Sequence, residues 1–120
     1  MANTVDAPSS TLDTSVKLFD SFYNYDMVVD ATKYEIVRSY FKSINNSDTI
    51  AANFATMVFR ISGITGNDPL TLLSFVQGKT KLEANAIMIY YLNNIKSKTA
   101  LYGISVMPQP NENVQRNIIL

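Results

Sequence analysis

Residues 68–83 read Asp-Pro-Leu-Thr-Leu-Leu-Ser-Phe-Val-Gln-Gly-Lys-Thr-Lys-Leu-Glu. Asp68 suits a helix cap, and Pro69 suits the first helical position, where its missing N–H is no loss. Leu70, Leu72, Leu73, Phe75 and Val76 make the following turns apolar nearly all round. The spacing therefore predicts a short helix from about Pro69 to Gln77, buried at the centre, with Gly78 as its left-handed stop. Thr80 and Glu83 then form a reciprocal cap, the hydroxyl and the carboxylate each satisfying an orphan backbone donor. They open the longest predicted helix, about Lys81 to Lys96, whose Leu82, Ala86, Ile89 and Leu92 face the core, widened by Ile87, Met88, Tyr90 and Tyr91.

Working back from this stretch, Ile64 to Pro69 is a turn that includes Gly66. Ser62 and Gly63 are expected to stop a preceding helix that Ser47 or Asp48 caps, with Ile50, Phe54, Met57, Val58 and Ile61 on one face. Before it, Thr32 with Glu35 repeats the cap pattern and opens a helix whose inward stripe is Tyr34, Val37, Phe41 and Ile44; Asn45 and Asn46 end it. Leu12, Val16, Phe19 and Tyr23 recur at spacings of four, three and four, which predicts a first helix of about 12 residues capped by Ser10 or Thr11. Met1 to Thr11 is small and polar and contains Pro8, so on its own it stays extended.

Working forward, the helical period stops after Ser97. Leu101, Tyr102, Ile104, Val106 and Met107 are strand-like, Pro108 and Pro110 block regular pairing, and a polar stretch runs to Ile118-Ile119-Leu120. The expected fold is mainly α: a compact bundle of about five helices at 12–97, with an extended polar N-terminal segment at 1–11 and an extended C-terminal arm at 98–120.

The 120 residues make about one domain, and with 47% hydrophobic and 17% charged residues the chain is too apolar for disorder. Ten bases balance ten acids, which removes the bulk attraction a nucleic-acid binder or membrane-surface protein carries. The balance is uneven: Asp6, Asp13, Asp20, Asp26 and Asp30 face Lys17 alone in the first 30 residues, and the rest is basic by the same margin. Cys is absent, so disulfides, thiolate metal sites and Cys nucleophiles are excluded. No secretion signal and no membrane-length apolar run is expected.

His is absent too, which removes the commonest general base and metal ligand. Glu35 and Glu83 could form a carboxylate pair, but each sits three residues after a Thr at a helix start and reads as a capping residue. Gly78-Lys79-Thr80 resembles the end of a phosphate-binding loop, yet Leu73 stands where the motif needs glycine and a helix precedes it in place of a strand. Asp20, Asp26 and Asp30 lack the ligand spacing of a calcium loop. A helix-turn-helix across Gly66 would use residues 69–77 for recognition, and these carry no Lys or Arg to read phosphates or bases. The expectation is no enzyme, no cofactor, no metal, no nucleic acid, no membrane and no small-molecule substrate. Lys79, Lys81, Lys96 and Lys98 bracket the last helix and read as a solvated surface, or as a meeting point for an acidic neighbour.

Seven tyrosines remain. Tyr34, Tyr90 and Tyr40 suit a core with wet hydroxyls. Tyr23, Tyr25, Tyr91 and Tyr102, with Phe22, exceed what one small core needs and have the chemistry of interface anchors. Both readings stay open.

The run Phe22-Tyr23-Asn24-Tyr25-Asp26, the stretch Asn53 to Phe59 (NFATMVF), the pair Leu72-Leu73, the stretch Tyr90 to Ser97 (YYLNNIKS) and the terminal Arg116-Asn117-Ile118-Ile119-Leu120 carry a resemblance. Over residues 20–120 the chain resembles small virion structural proteins of contractile-tailed phages that infect marine cyanobacteria and other marine bacteria; the longer N-terminal segment departs from that pattern. The resemblance implies a subunit present in many symmetric copies, assembled in the host cytoplasm, whose partners are other virion proteins and copies of itself. Its place would be the tail, baseplate or neck, with capsid decoration or cementing as an alternative and a non-virion adaptor as another. The contact residues expected are Phe22, Tyr23, Tyr25, Tyr102, Val106, Arg116, Ile118, Ile119 and Leu120.

Overall fold

A computed structural model of the chain describes residues 15–94. The predicted segments 1–11 and 98–120 lie outside them, as do Leu12 and the expected helix end at Lys96. Among the described residues the fold is a two-stranded hairpin, β1 (Ser15–Asp20) and β2 (Tyr25–Asp30), followed by four helices: α1 (Ala31–Ser43), α2 (Asp48–Thr65), α3 (Pro69–Ser74) and α4 (Lys81–Asn94). The mainly helical expectation is met, with four helices in place of five.

The correction falls at the start. Residues 15–20, expected in a first helix, pair antiparallel with 25–30, Leu18 opposite Met27 and Asp20 opposite Tyr25. The helical reading placed Val16 and Phe19 on a buried face, and they are exposed. The strand period explains the packing instead: Leu18 and Asp20 on β1 share the inner face with Tyr25, Met27 and Val29 on β2. Phe19 and Val28 point outward, at 57% and 71% exposure. Residues 21–24 close the hairpin, with Asn24 at φ 56°, a left-handed conformation that asparagine tolerates better than most side chains.

α1 is capped by Asp30, not by Thr32: the Asp30 carboxylate accepts from the Lys33 amide at 3.0 Å. Glu35, expected to complete a cap with Thr32, instead binds the Arg38 guanidinium and accepts from the Ser39 hydroxyl at 3.2 Å. The acid three residues back from Lys33 outcompeted the hydroxyl, because Asp30 leaves an extended strand in the backbone conformation a cap requires. Ser47 caps α2, accepting from the Ile50 amide at 3.2 Å.

α2 runs past Ser62 and Gly63, which were expected to end it, to Thr65. A glycine within a helix costs only about 1 kcal/mol, and the buried Ile61 with the partly buried Ile64 repays the extra turn. The stop is Gly66, at φ 82°, whose amide donates back to the Ser62 carbonyl at 2.9 Å. Asp68 and Pro69 start α3 as read, Asp68 accepting from the Leu70 amide at 2.8 Å, and Leu72 and Leu73 are buried. The α-helix itself closes at Ser74, ahead of the expected Gln77, and turns carry the chain through Gly78 at φ 81°. The Thr80–Glu83 cap is present in both directions, the Thr80 amide to Glu83 at 3.0 Å and the Glu83 amide to the Thr80 hydroxyl at 3.2 Å.

α4 buries Ala86 and the widening Ile87, Met88 and Tyr91 as predicted, but its face is turned away from Leu82 and Leu92. Ala84, Ile87, Met88 and Tyr91 are in the core, while Leu82 and Leu92 stand 56% and 39% exposed. Offsets of three, four and seven from Ala84 are one helical face, so the sequence contains both frames. The selected frame also buries Asn85, whose amide pairs reciprocally with Asn46 at 3.0 and 2.7 Å, Asn46 donating as well to the Phe41 carbonyl at 3.0 Å. These bonds join the end of α1 to α4 across the core. Phe41 on α1 and Phe54 on α2 meet edge-on with centroids 5.2 Å apart.

Candidate functional site

The chemistry that distinguishes this molecule from a plain helical core is at the hairpin tip. Asp20 ends β1 on the inner face, fully buried. Its carboxylate accepts from the Phe22 amide at 2.9 Å and the Tyr23 amide at 3.4 Å, which fixes the turn. It also receives a fork from Arg60 on α2, Nε at 2.7 Å and Nη2 at 2.6 Å. The Arg60 guanidinium carbon lies 4.5 Å from the Phe22 ring centroid and 5.4 Å from that of Tyr23. The two rings meet edge to face at 4.8 Å. A carboxylate, a guanidinium and two aromatic rings thus lock the tip onto α2, within the range where cation–π attraction is significant.

Burial pushes the Asp20 carboxyl up, but the hydrogen bond and charge of Arg60, helped by the two turn amides, outweigh it and leave the carboxyl below its usual 3.8. Burial raises the Tyr23 hydroxyl, with Arg60 opposing and Asp20 and Tyr25 adding to the rise. The Tyr25 and Tyr91 hydroxyls are raised chiefly by burial as well. Asp20 therefore stays ionised and fully engaged, an arrangement that holds the shape of the turn.

Beside the tip lies a cleft of about 500 Å³. Phe19 and Phe22 form its hairpin wall, Ile50 and Met57 on α2 its floor, and Ile89 and Leu92 on α4 its far side, with Ser21, Asn53 and Thr56 as polar points. Among the described residues no group of three or more acids is placed to hold a metal ion, and no helix is long and apolar enough to cross a membrane.

Of the expected contact residues, the structure brings Phe22, Tyr23 and Tyr25 together at the tip; Tyr102, Val106, Arg116, Ile118, Ile119 and Leu120 lie outside the described residues. Phe22 is exposed, whereas Tyr23 and Tyr25 are half-buried. Tyr91, counted among the surplus aromatics, is a core residue at 2% exposure. Tyr40, read as having a wet hydroxyl, donates to the Val76 carbonyl at 2.6 Å. Sequence reasoning missed Phe19, Leu82 and Val28 as exposed apolar groups, and missed the Asp20–Arg60 and Asn46–Asn85 pairs. A local signal existed only for the turn, where Asp20 and Asn24 bracket a possible hairpin loop. The pairs join residues 40 and 39 positions apart.

Compared with known proteins, the chain matches no family model, no curated protein and no solved structure.

Proposed function

We propose that this chain is a structural subunit of a phage virion, built into the particle by contacts between subunits through the hairpin tip and the terminal segments. The single observation behind a contact role is a hairpin that pairs with no further strand among the described residues. A two-stranded sheet has both flanking edges open among the described residues, and its outer face carries Phe19 and Val28. Open strand edges of this kind invite pairing by another chain. The apolar outer face adds a surface that association would cover.

The phage virion, and within it the tail, baseplate or neck, follows from the resemblance in residues 20–120, with capsid decoration or cementing as the alternative place. Phe22 at the tip, Tyr102 and Val106 in the strand-like stretch, and Arg116 with Ile118, Ile119 and Leu120 at the end are the residues assigned to contacts. Tyr23 and Tyr25 support Phe22 from the half-buried layer beneath it. Assembly would take place in the host cytoplasm and leave the subunit in the virion. An adaptor that binds one partner through exposed tyrosines is less favoured, because Tyr23 and Tyr25 are half-buried and Tyr91 is in the core.

Quantitative mass spectrometry of purified particles tests the reading. The chain should be present in fixed stoichiometry with the other virion proteins; its absence from particles, with abundance in the infected cell, would leave the adaptor.

A further inference from the structure

We infer that two copies of this chain stack the outer faces of their hairpins about a two-fold axis running along the strands, so that β1 of each copy lies over β2 of the other. The inference deepens the contact role proposed above and rests on that reading of the hairpin, but not on the particle. Strand alternation puts Ser15, Lys17 and Phe19 of β1 and Asp26, Val28 and Asp30 of β2 on the outer face. The inner face packs on α1 and α2, whereas Phe19 and Val28 on the outer one stand 57% and 71% exposed. The register sets Lys17 opposite Val28, with Phe19 opposite Asp26 in the next row. Apolar groups ringed by charge are the layout of an interface core and its rim.

Charge selects the occupant and its orientation. The face carries its base on one strand and its two acids on the other, so it is complementary to itself. Lys17 and Asp26 lie 3.9 Å apart with side chains 68% and 55% exposed, a contact worth little in water that leaves both charges available. In the aligned stacking of two identical sheets the two-fold axis runs either across the strands or along them. Across the strands, β1 covers β1 and β2 covers β2, which sets Lys17 against Lys17 and Asp26 against Asp30. Along the strands, Lys17 of each copy lies over the other copy's Val28, between Asp26 and Asp30, and Phe19 flanks the same Val28 from the next row. Juxtaposed like charges disfavour the first arrangement, and opposite charges fix the register of the second.

Two six-residue strands make a small face, well below the roughly 800 Å² per partner of a standard interface. The pair alone therefore associates weakly, and its charges make the association sensitive to salt.

Amide NMR spectra of the full chain over a dilution series, with sedimentation velocity on the same samples, test the stacking. The wild type should show a monomer–dimer equilibrium in which the amide shifts of β1 and β2 move with concentration while those of α3 stay fixed. Lys17→Asp should weaken the dimer roughly tenfold or more, and Asp26→Lys likewise. A mixture of the two variants should regain it, because each supplies the charge the other lacks. Both positions are exposed, so the variants should melt with the wild type. Hairpin shifts that ignore concentration overturn the inference, as they would if another part of the chain covered the face. So do shifts confined to other elements, association that survives Lys17→Asp, and a mixture that stays monomeric. A chain found in particles whose hairpin stays monomeric sinks this inference alone, and a dimer absent from particles sinks the virion reading alone.

Discussion

Asp20 and Arg60 set the energetics of the hairpin tip. Removing one member of a buried pair strands a charge and costs about 3–5 kcal/mol, whereas replacing both by apolar groups is often close to neutral. Asp20→Asn is therefore expected to lose stability of that order in chemical denaturation. The double variant Asp20→Leu with Arg60→Leu should lose less than either leucine single variant, and what it does lose reflects the amides of Phe22 and Tyr23 that Asp20 also holds. The sign with pH follows from the depressed carboxyl. Its contribution is fully present above the usual value of 3.8 and is lost as pH falls through the lower folded value, so the wild type should show an acid-side loss that Asp20→Asn lacks. Neither residue announces its partner in sequence. An Asp on the inner face of a strand spoils the apolar alternation by which strands are recognised, and the arginine that neutralises it is 40 positions away.

At the scale of elements, legibility tracked how local the deciding interaction is. The starts of α2, α3 and α4 were readable because Ser47, Asp68 and Thr80 bond to amides two or three residues on. Gly78 was readable as a left-handed turn residue, where a positive φ suits a residue with no side chain, although α3 itself closes earlier, at Ser74. The hairpin was not, because Val16, Phe19 and Tyr23 fit a helical period and the competing strand period shows only when β1 and β2 are paired. Nor was the frame of α4, where a long apolar run satisfies two faces and the choice depends on the distant Asn46 and on what packs opposite. The corrected frame makes a sharp contrast. Ile87→Ala should cost about 2–5 kcal/mol, as deletion of a buried aliphatic side chain does, whereas Leu82→Ala should stay within about 0.5 kcal/mol, as surface changes do. Thermal or chemical denaturation of the two variants checks the frame, since a core-facing Leu82, as the helical pattern suggests, would make the two losses comparable.

At the scale of the whole molecule, the described body carries as many bases as acids, and the charge asymmetry lies at the ends. Asp6 and Asp13 stand without a base in residues 1–14, while Lys96, Lys98 and Arg116 face Glu112 alone in residues 95–120. Opposite charge on opposite ends suits contacts between neighbouring copies, steering them more than binding them. The acidic character read across the first 30 residues is partly consumed within the body, where Asp20 meets Arg60, and at its surface, where Asp26 lies 3.9 Å from Lys17. For the assembly proposed above, the surface the described residues offer is the outer face of the hairpin, with Phe19 and Val28. Cryo-electron microscopy of the native particle tests this most directly. The account predicts repeated, symmetric copies of the hairpin-and-four-helix body whose terminal segments, Ile118 to Leu120 included, lie across neighbouring subunits. A complete reconstruction with no density for the body, or with copies whose ends and hairpins touch no neighbour, would contradict it.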